Sequence, residues 1–480
     1  MNHDTRTRRR VTAAALAVPL VLALAGAAAS TPRSAPPTAQ RPPACAAPTS
    51  APQPVTPTTA GTIEQAYDCV FAHYYNAAAL DDRPLLNGAF AGLTQELGIL
   101  GLEQPDATAP ALTGDRAADW AAFSAVYERV IGHLPTPARQ PVAAATMTGM
   151  LASLDDNHVH WRYPLFPPGY QPGDAYGLGF TASPDTALMA NDPLEALPPL
   201  FVTRVYGGPA AAAGLRPGDV IVAVDGAPPY VDGLPTPGVA SLLSQQYPRS
   251  EPVILTLRRP ATGRAWSMTM KPALFQPIPS ATQNVTAKLL NNDIGYVALA
   301  GFAPDAADAV LTAIADLRAG RTLRGVVLDL RGNGGGSPQE VARLLGAFVH
   351  GKAYSYDCAS PDNCAANDTD GTVPLLHLPL VVLTDRDCAS ACDAFSGAVK
   401  DLHLGSLVGT RTSGIVARPA EGYLLDDNSM LLMPFHHELG ADHETINGIG
   451  VAPDHYLPLT PQDVSTGHDP DIDQALKLLG

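Results

Sequence analysis

The chain has 480 residues, 46% of them hydrophobic and 16% charged, and a formal net charge of -16 at pH 7. That length and composition provide for a buried core spread over two or three domains. The acidic balance excludes nucleic acid as a partner, because phosphate binding needs clustered Lys and Arg, and the only arginine run belongs to the leader described next.

Residues 1–29 read as an export signal. Arg6, Arg8, Arg9 and Arg10 precede the apolar run "VTAAALAVPLVLALAGAAAS", which ends in small residues near Ala27 and Ala29. The run is short and holds Pro19, which argues against a permanent anchor. "TRRRVT" leaves a twin-arginine route open. Without the leader the net charge moves to about -19. The predicted location is therefore secreted or cell-envelope. In such an oxidising compartment six cysteines can form three disulfides, and proximity favours Cys45–Cys69, Cys358–Cys364 and Cys388–Cys392.

Residues 30–61 are rich in Pro, Ala and Thr and are expected to be a linker, with too little apolar surface to offset ordering entropy. Residues 62–170 are expected to form a helical region. Its clearest stretch is "MTGMLASL", where Met147, Met150, Leu151 and Leu154 follow helical spacing before the turn-forming "DDNHVHW". Residues 171–275 hold short β-type runs between Gly and Pro turns, among them "FVTRV", "DVIVAVDG" and "VILTLRR". From 283 to 480 strand-like and helix-like segments alternate: "IGYVAL", "DAADAVLTAIADLR", "RGVVLDL", "PQEVARLLGAF", "LPLVVLT". This alternation predicts an α/β core with a largely parallel sheet.

Two segments of that core carry chemistry. In "VVLTDRDCASACDAF", Ser390 sits between two cysteines at a strand–turn–helix corner, and the apolar stripe that follows places it at the helix N-terminus. A serine there is either an N-cap or an exposed nucleophile, because nearby amides and the helix dipole favour developing negative charge. In "GVVLDLRGNGGGS" a buried strand runs into a glycine cluster. Ser337 stands where a dinucleotide loop needs Gly, and no lysine follows for a phosphate loop. What remains is either a plain tight turn or a set of free amides suited to an oxyanion.

"DLRGNGGG" followed by a strand and "CASACDAF" resembles the carboxy-terminal processing (tail-specific) serine peptidases and their tricorn-like relatives. "AYGLGFTA" with "GGPAAAAGLRPGDVIVAVDG" is similar to that family's PDZ domain, "INGIGVAPD" to its closing strand motif and "DPDIDQALKLL" to its terminal helix. The resemblance spans about residues 62–480. It implies a crotonase/Clp-protease-like α/β core with an N-terminal helical region and an inserted PDZ domain. It further implies Ser390 as nucleophile and Gly177, Leu178, Gly179 and Phe180 as the loop that binds a peptide end by strand addition. Amides of Ala391, Gly334, Gly335 and Gly336 are then candidates for the oxyanion hole, with Arg331 bracing the turn. A bonded Cys388–Cys392 pair would stiffen the elbow.

The base departs from the lysine branch of that family, whose lysine position falls on Ile415. Lys400 lies about three turns along the nucleophile's own helix, out of reach. The histidine branch takes its base from the segment before the PDZ domain, which implies His158, with His160 as rival. Asn447 occupies the place of the family's orienting glutamate, and Glu444, Asp155 and Asp156 are alternatives. The expected function is an exported serine endopeptidase acting on proteins or peptides, engaged through their C-termini by the PDZ domain, without metal or other cofactor. An inactive peptidase-fold protein that holds peptide tails or an apolar ligand is the alternative. A metal hydrolase using His436, His437 and His443 is the weaker rival, since no H-E-x-x-H helix exists.

Overall fold

The computed structural model describes residues 45–47, 53–183, 198–236, 238–279 and 283–480. The expected export signal lies outside the described residues.

The core is a six-stranded sheet in the order Val285–Leu290, Ile294–Leu299, Gly325–Asp329, Leu380–Thr384, Gly405–Gly409 and His455–Tyr456. The first pair is antiparallel and every later pair is parallel. Gly325–Asp329 and Leu380–Thr384 are buried at every residue, as central parallel strands with both faces covered must be. Their side chains alternate between two cores. Val326, Leu328 and Val382 join the helices Ala306–Arg318, Pro338–Gly346 and Ala391–Asp401, whereas Val327, Val381 and Leu383 meet Ala475 and Ile472 of the terminal helix Pro470–Leu478. The segment "INGIGVAPD", read as a closing strand motif, is a loop. The strand it leads to is only His455–Tyr456.

A second, antiparallel sheet is built on the long strand Met430–Gly440, flanked by His160–Arg162, Ala353–Ser360 and Ala417–Leu424. The register His160↔Leu432, Trp161↔Leu431 and Arg162↔Met430 ties the chain just after the N-terminal helices into this sheet.

Those helices are Ala60–His73, Asp82–Leu100, Arg116–His133 and Thr136–Ala152, and Thr59, Asp81 and Asp115 cap the first three. Asp82–Leu100 and Thr136–Ala152 touch backbone to backbone, for a Cβ on Gly92 would lie 2.1 Å from the Ala145 carbonyl oxygen. Met147, Met150 and Leu151 point into this core, which also takes in Tyr423, Leu431 and Met433 of the second sheet. The stretch expected as a free linker is partly docked. Cys45 is bonded to Cys69, Ala46 bridges to Leu424, and Thr58 donates its hydroxyl to Asp427. Among the described residues no helix is long and apolar enough to cross a membrane.

After His160–Arg162 the chain forms a five-stranded antiparallel sheet: Phe180–Ser183, Phe201–Val205, Val220–Val224, Val253–Arg259 and Arg264–Met270. Phe180–Ser183 is an edge strand. Leu178, Phe180 and Ala182 share a core with Val239 and Leu243 of the short helix Val239–Leu243.

One buried ion cluster joins the central sheet to the C-terminus. Arg331 donates to both oxygens of Asp329, to Asp469 at 2.8 Å and to Asp471 at 2.9 Å, while the Tyr296 hydroxyl also reaches Asp329. Burial works to raise Asp329, but the Arg331 guanidinium outweighs it and holds the carboxyl below its usual range. Burial and the neighbouring Asp469 and Asp329 push Asp471 up to about 7, against the pull of Arg331. Removing the cation leaves buried carboxylates uncompensated, so Arg331→Ala should lower unfolding stability by about 3–5 kcal/mol. Urea denaturation checks this, and a loss below about 1 kcal/mol would mean the cluster relaxes into water.

Candidate active site

The site forms at the carboxyl ends of Gly325–Asp329 and Leu380–Thr384, where an α/β sheet opens its loops to ligands. After Leu380–Thr384 the chain turns around Asp385, whose Oδ1 accepts the amides of Gly332, Asp387 and Cys388. Ser390 follows with φ 58° and ψ -117°, a conformation that costs a non-glycine residue of order 1–3 kcal/mol and persists only when its surroundings enforce it. The Cys388–Cys392 disulfide spans this elbow, and the other two pairs are Cys45–Cys69 and Cys358–Cys364.

The glycine turn packs directly on the elbow. A Cβ at Gly335 would lie 2.6 Å from both the Ala389 oxygen and Ser390 Cβ, so no larger residue fits. Asn333 locks the two together. Its carbonyl accepts the Ala389 amide, its Nδ2 donates to Leu299 O, and its Oδ1 takes the Gly335 amide at 2.9 Å. The Gly335 N–H is thus already engaged. The amides of Ala391, Gly334 and Gly336 make no hydrogen bond among the described residues.

Asp393, one turn into the helix and fully buried, gathers the surroundings of Ser390. Its Oδ2 accepts the amides of Ser390 at 2.9 Å and Ile415 at 3.1 Å, and its Oδ1 accepts the Gly414 amide at 2.9 Å. Burial pushes its carboxyl up to about 6, opposed by the Thr412 hydroxyl and these amides.

His158 reaches the other side of the same loop. It lies in the turn expected of "DDNHVHW", where Val159 N–H closes back on Asp156 O. The ring is 8% exposed and faces the Ile415 backbone, whose amide shares Asp393 with that of Ser390. Its Nδ1 stands 2.7 Å from Asn157 Oδ1, and Asn157 Nδ2 donates to Gly414 O. That second bond fixes the amide orientation, so Oδ1 can only accept and Nδ1 carries the proton. Nε2 is left buried, unprotonated and without a hydrogen-bond partner among the described residues. Burial lowers the imidazole to about 4; His160 and His437 add to this, while Asp156 and the Ile415 backbone oppose it.

Asp156 pins the turn that carries His158. It accepts the His158 amide at 2.8 Å, the Tyr74 hydroxyl at 2.8 Å and His437 Nε2 at 2.9 Å, and its Oδ1 lies 3.9 Å from His158 Nδ1. Asn447, expected to orient the histidine, does not touch it. Its Oδ1 accepts the Val416 amide and braces the loop from behind. Glu444 is turned away, toward the Asp442 amide. Asn157 escaped the sequence reading because adjacent residues seldom bond through their side chains, and the only available signal was its place beside His158.

Of the remaining candidates, His437 lies beside His158. Lys400 donates to Ala452 O at the far end of the helix Ala391–Asp401. His437 is held by Asp156 and His443 stacks on Tyr356 at 3.9 Å. Among the described residues no cluster of three or more His, Cys, Asp or Glu could hold a metal ion. Gly177 pairs with Ala273 and Phe180 with Val205, and Gly179 O accepts the Tyr206 amide, which places this loop at the head of the edge strand.

Residues 293–457 match peptidase family S41 and residues 201–259 match the PDZ domain. The chain is 30% identical over 315 residues to the carboxyl-terminal-processing peptidase 2, chloroplastic, of Arabidopsis thaliana, covering 64% of this chain and 59% of that protein. It is 32% identical over 296 residues to the C-terminal processing peptidase, chloroplastic, of Tetradesmus obliquus, covering 58% and 60%. It thus spans about three fifths of the length of these relatives. The photosystem II D1 C-terminal processing protease shares the fold, with a TM-score of 0.50 at 23% identity over 88% of this chain and 98% of that one. The chain thus carries a peptidase family S41 domain and a PDZ domain, and the relatives it resembles are carboxyl-terminal-processing peptidases.

Proposed function

We propose that the chain is an exported serine endopeptidase in which Ser390 is the nucleophile and His158 the general base. The observation that carries this reading is the buried, unpartnered Nε2 of His158, set against a loop whose Ile415 amide shares one carboxylate oxygen with the amide of the strained serine. Nε2 takes the Ser390 proton as Oγ attacks the peptide carbonyl. The same proton passes to the departing amine, and water then hydrolyses the acyl-enzyme by the reverse route. The amide of Ala391 with that of Gly334 or Gly336 receives the oxyanion. Asn157 holds the tautomer. The charge expected from a family glutamate comes instead from Asp156, near enough to favour the transient imidazolium.

Substrates are protein or peptide chains. The free edge of Phe180–Ser183, headed by Gly177, Leu178 and Gly179 and backed by the helix Val239–Leu243, suits an extended peptide end added as a further strand. Export agrees with three disulfides, a usage typical of oxidising compartments.

A fluorophosphonate should label the wild type and leave Ser390→Ala unlabelled, and a peptide-library digest read by mass spectrometry should show cleavage lost in the same variant. His158→Ala should slow labelling by roughly 10²–10⁴-fold. Absence of labelling in folded wild type would retire the hydrolase reading in favour of a peptide-holding scaffold. Asn157→Leu removes the Nδ1 acceptor and should slow labelling about tenfold, the equivalent of one hydrogen bond. Asn447→Ala, which touches only the loop, should cost less. The reverse order would return the orienting role to Asn447.

A further inference from the structure

We infer that Asp393 is a positioning residue that must be ionised for Ser390 and the His158 loop to hold their relative places. The inference rests on the peptidase reading for its consequence in catalysis, and on hydrogen-bond geometry for its substance.

Every hydrogen bond of the Asp393 carboxylate among the described residues is one in which it accepts, while its backbone amide donates to the Ser390 hydroxyl in a capping box. Ser390 and Ile415 donate amides to Oδ2, Gly414 donates to Oδ1, and the Thr412 hydroxyl also reaches the carboxylate. No cation faces it. On the neighbouring elements, His158 faces the Ile415 backbone and Arg386 donates to the Thr412 carbonyl. The donors come from two separate places in the chain, the elbow before the helix Ala391–Asp401 and the loop 412–415. One carboxylate therefore sets the spacing between the nucleophile and the segment that abuts the base.

An ionised carboxylate offers about four lone-pair sites, which four donors fill. A proton placed on either oxygen turns an acceptor into a donor that opposes an N–H already pointing at it. Protonation must then release the elbow or the loop, and a displacement near 1 Å at a reacting group can cost about a hundredfold. The group is poised for this, since burial has moved its carboxyl up to about 6. The imidazole, at about 4, stays neutral through that range. In this site the acid limb of activity belongs to the carboxyl at the elbow. A limb set by the base would lie about two pH units lower.

The test uses the full chain and a fluorophosphonate, which reports Ser390 reactivity without a known substrate. In the wild type the labelling rate should fall about tenfold per pH unit below about 6 and be flat above it. Asp393→Asn, whose NH2 opposes two of the donors, should label about a hundredfold more slowly at pH 7.5, with the limb near 6 gone. Asp393→Glu should restore part of the rate together with an acid limb. Hydrogen exchange at pH 7.5, read on peptides covering 386–395 and 410–417, should show both segments loosened together in Asp393→Asn while the sheet stays protected. A limb near 6 that persists in Asp393→Asn, or exchange unchanged in both segments, overturns the inference. If folded wild type is not labelled at any pH, the peptidase reading fails. The exchange comparison then decides alone whether Asp393 couples the two segments.

Discussion

Two oxygens of one buried carboxylate hold the centre of this molecule. Asp393 fixes the amide of Ser390 from one side and the amides of Gly414 and Ile415 from the other. Both groups of donors would otherwise be orphans, one at a helix N-terminus and one in an irregular loop. Satisfying them together is what allows a strained serine to persist, because the φ and ψ of Ser390 are tolerable only where the surroundings leave no alternative. The disulfide across the elbow and the Asn333 side chain beneath it act in the same sense. Several independent contacts agree on one geometry, which is the usual condition for a preorganised site.

The rest of the architecture delivers parts to that point. The parallel sheet ends its two most deeply buried strands there, and the Arg331 cluster ties the first of them to the C-terminal helix. The second sheet brings the histidine, since His160–Arg162 can pair with Met430–Gly440 only if the turn before it lies against the core. Burial serves both polar partners differently. It favours the neutral imidazole, and it makes the carboxylate costly enough that every one of its oxygens must be used.

The sequence made the strongly patterned parts legible. Strand and helix periodicity located the core elements, and the six cysteines paired as their spacing suggested. The elbow could be placed because an apolar helical stripe begins immediately after Ser390. What the pattern could not convey was which polar atom meets which. Asn157 and Asn447 are the same residue type, and only folded coordinates reveal that the first reaches the imidazole and the second a backbone amide. The glycine cluster announced free amides but not that Asn333 takes one of them. The proline-rich stretch read as a spacer, because composition does not record the backbone bond from Thr56 to Asp427.

The ladder between His160–Arg162 and Met430–Gly440 joins positions some 270 residues apart, with the whole PDZ domain emerging between them. Such distant pairing is late and slow in any folding scheme, since loop closure must precede it. A nascent chain halted before residue 430 would already hold the serine elbow, yet the imidazole would have no strand to anchor it.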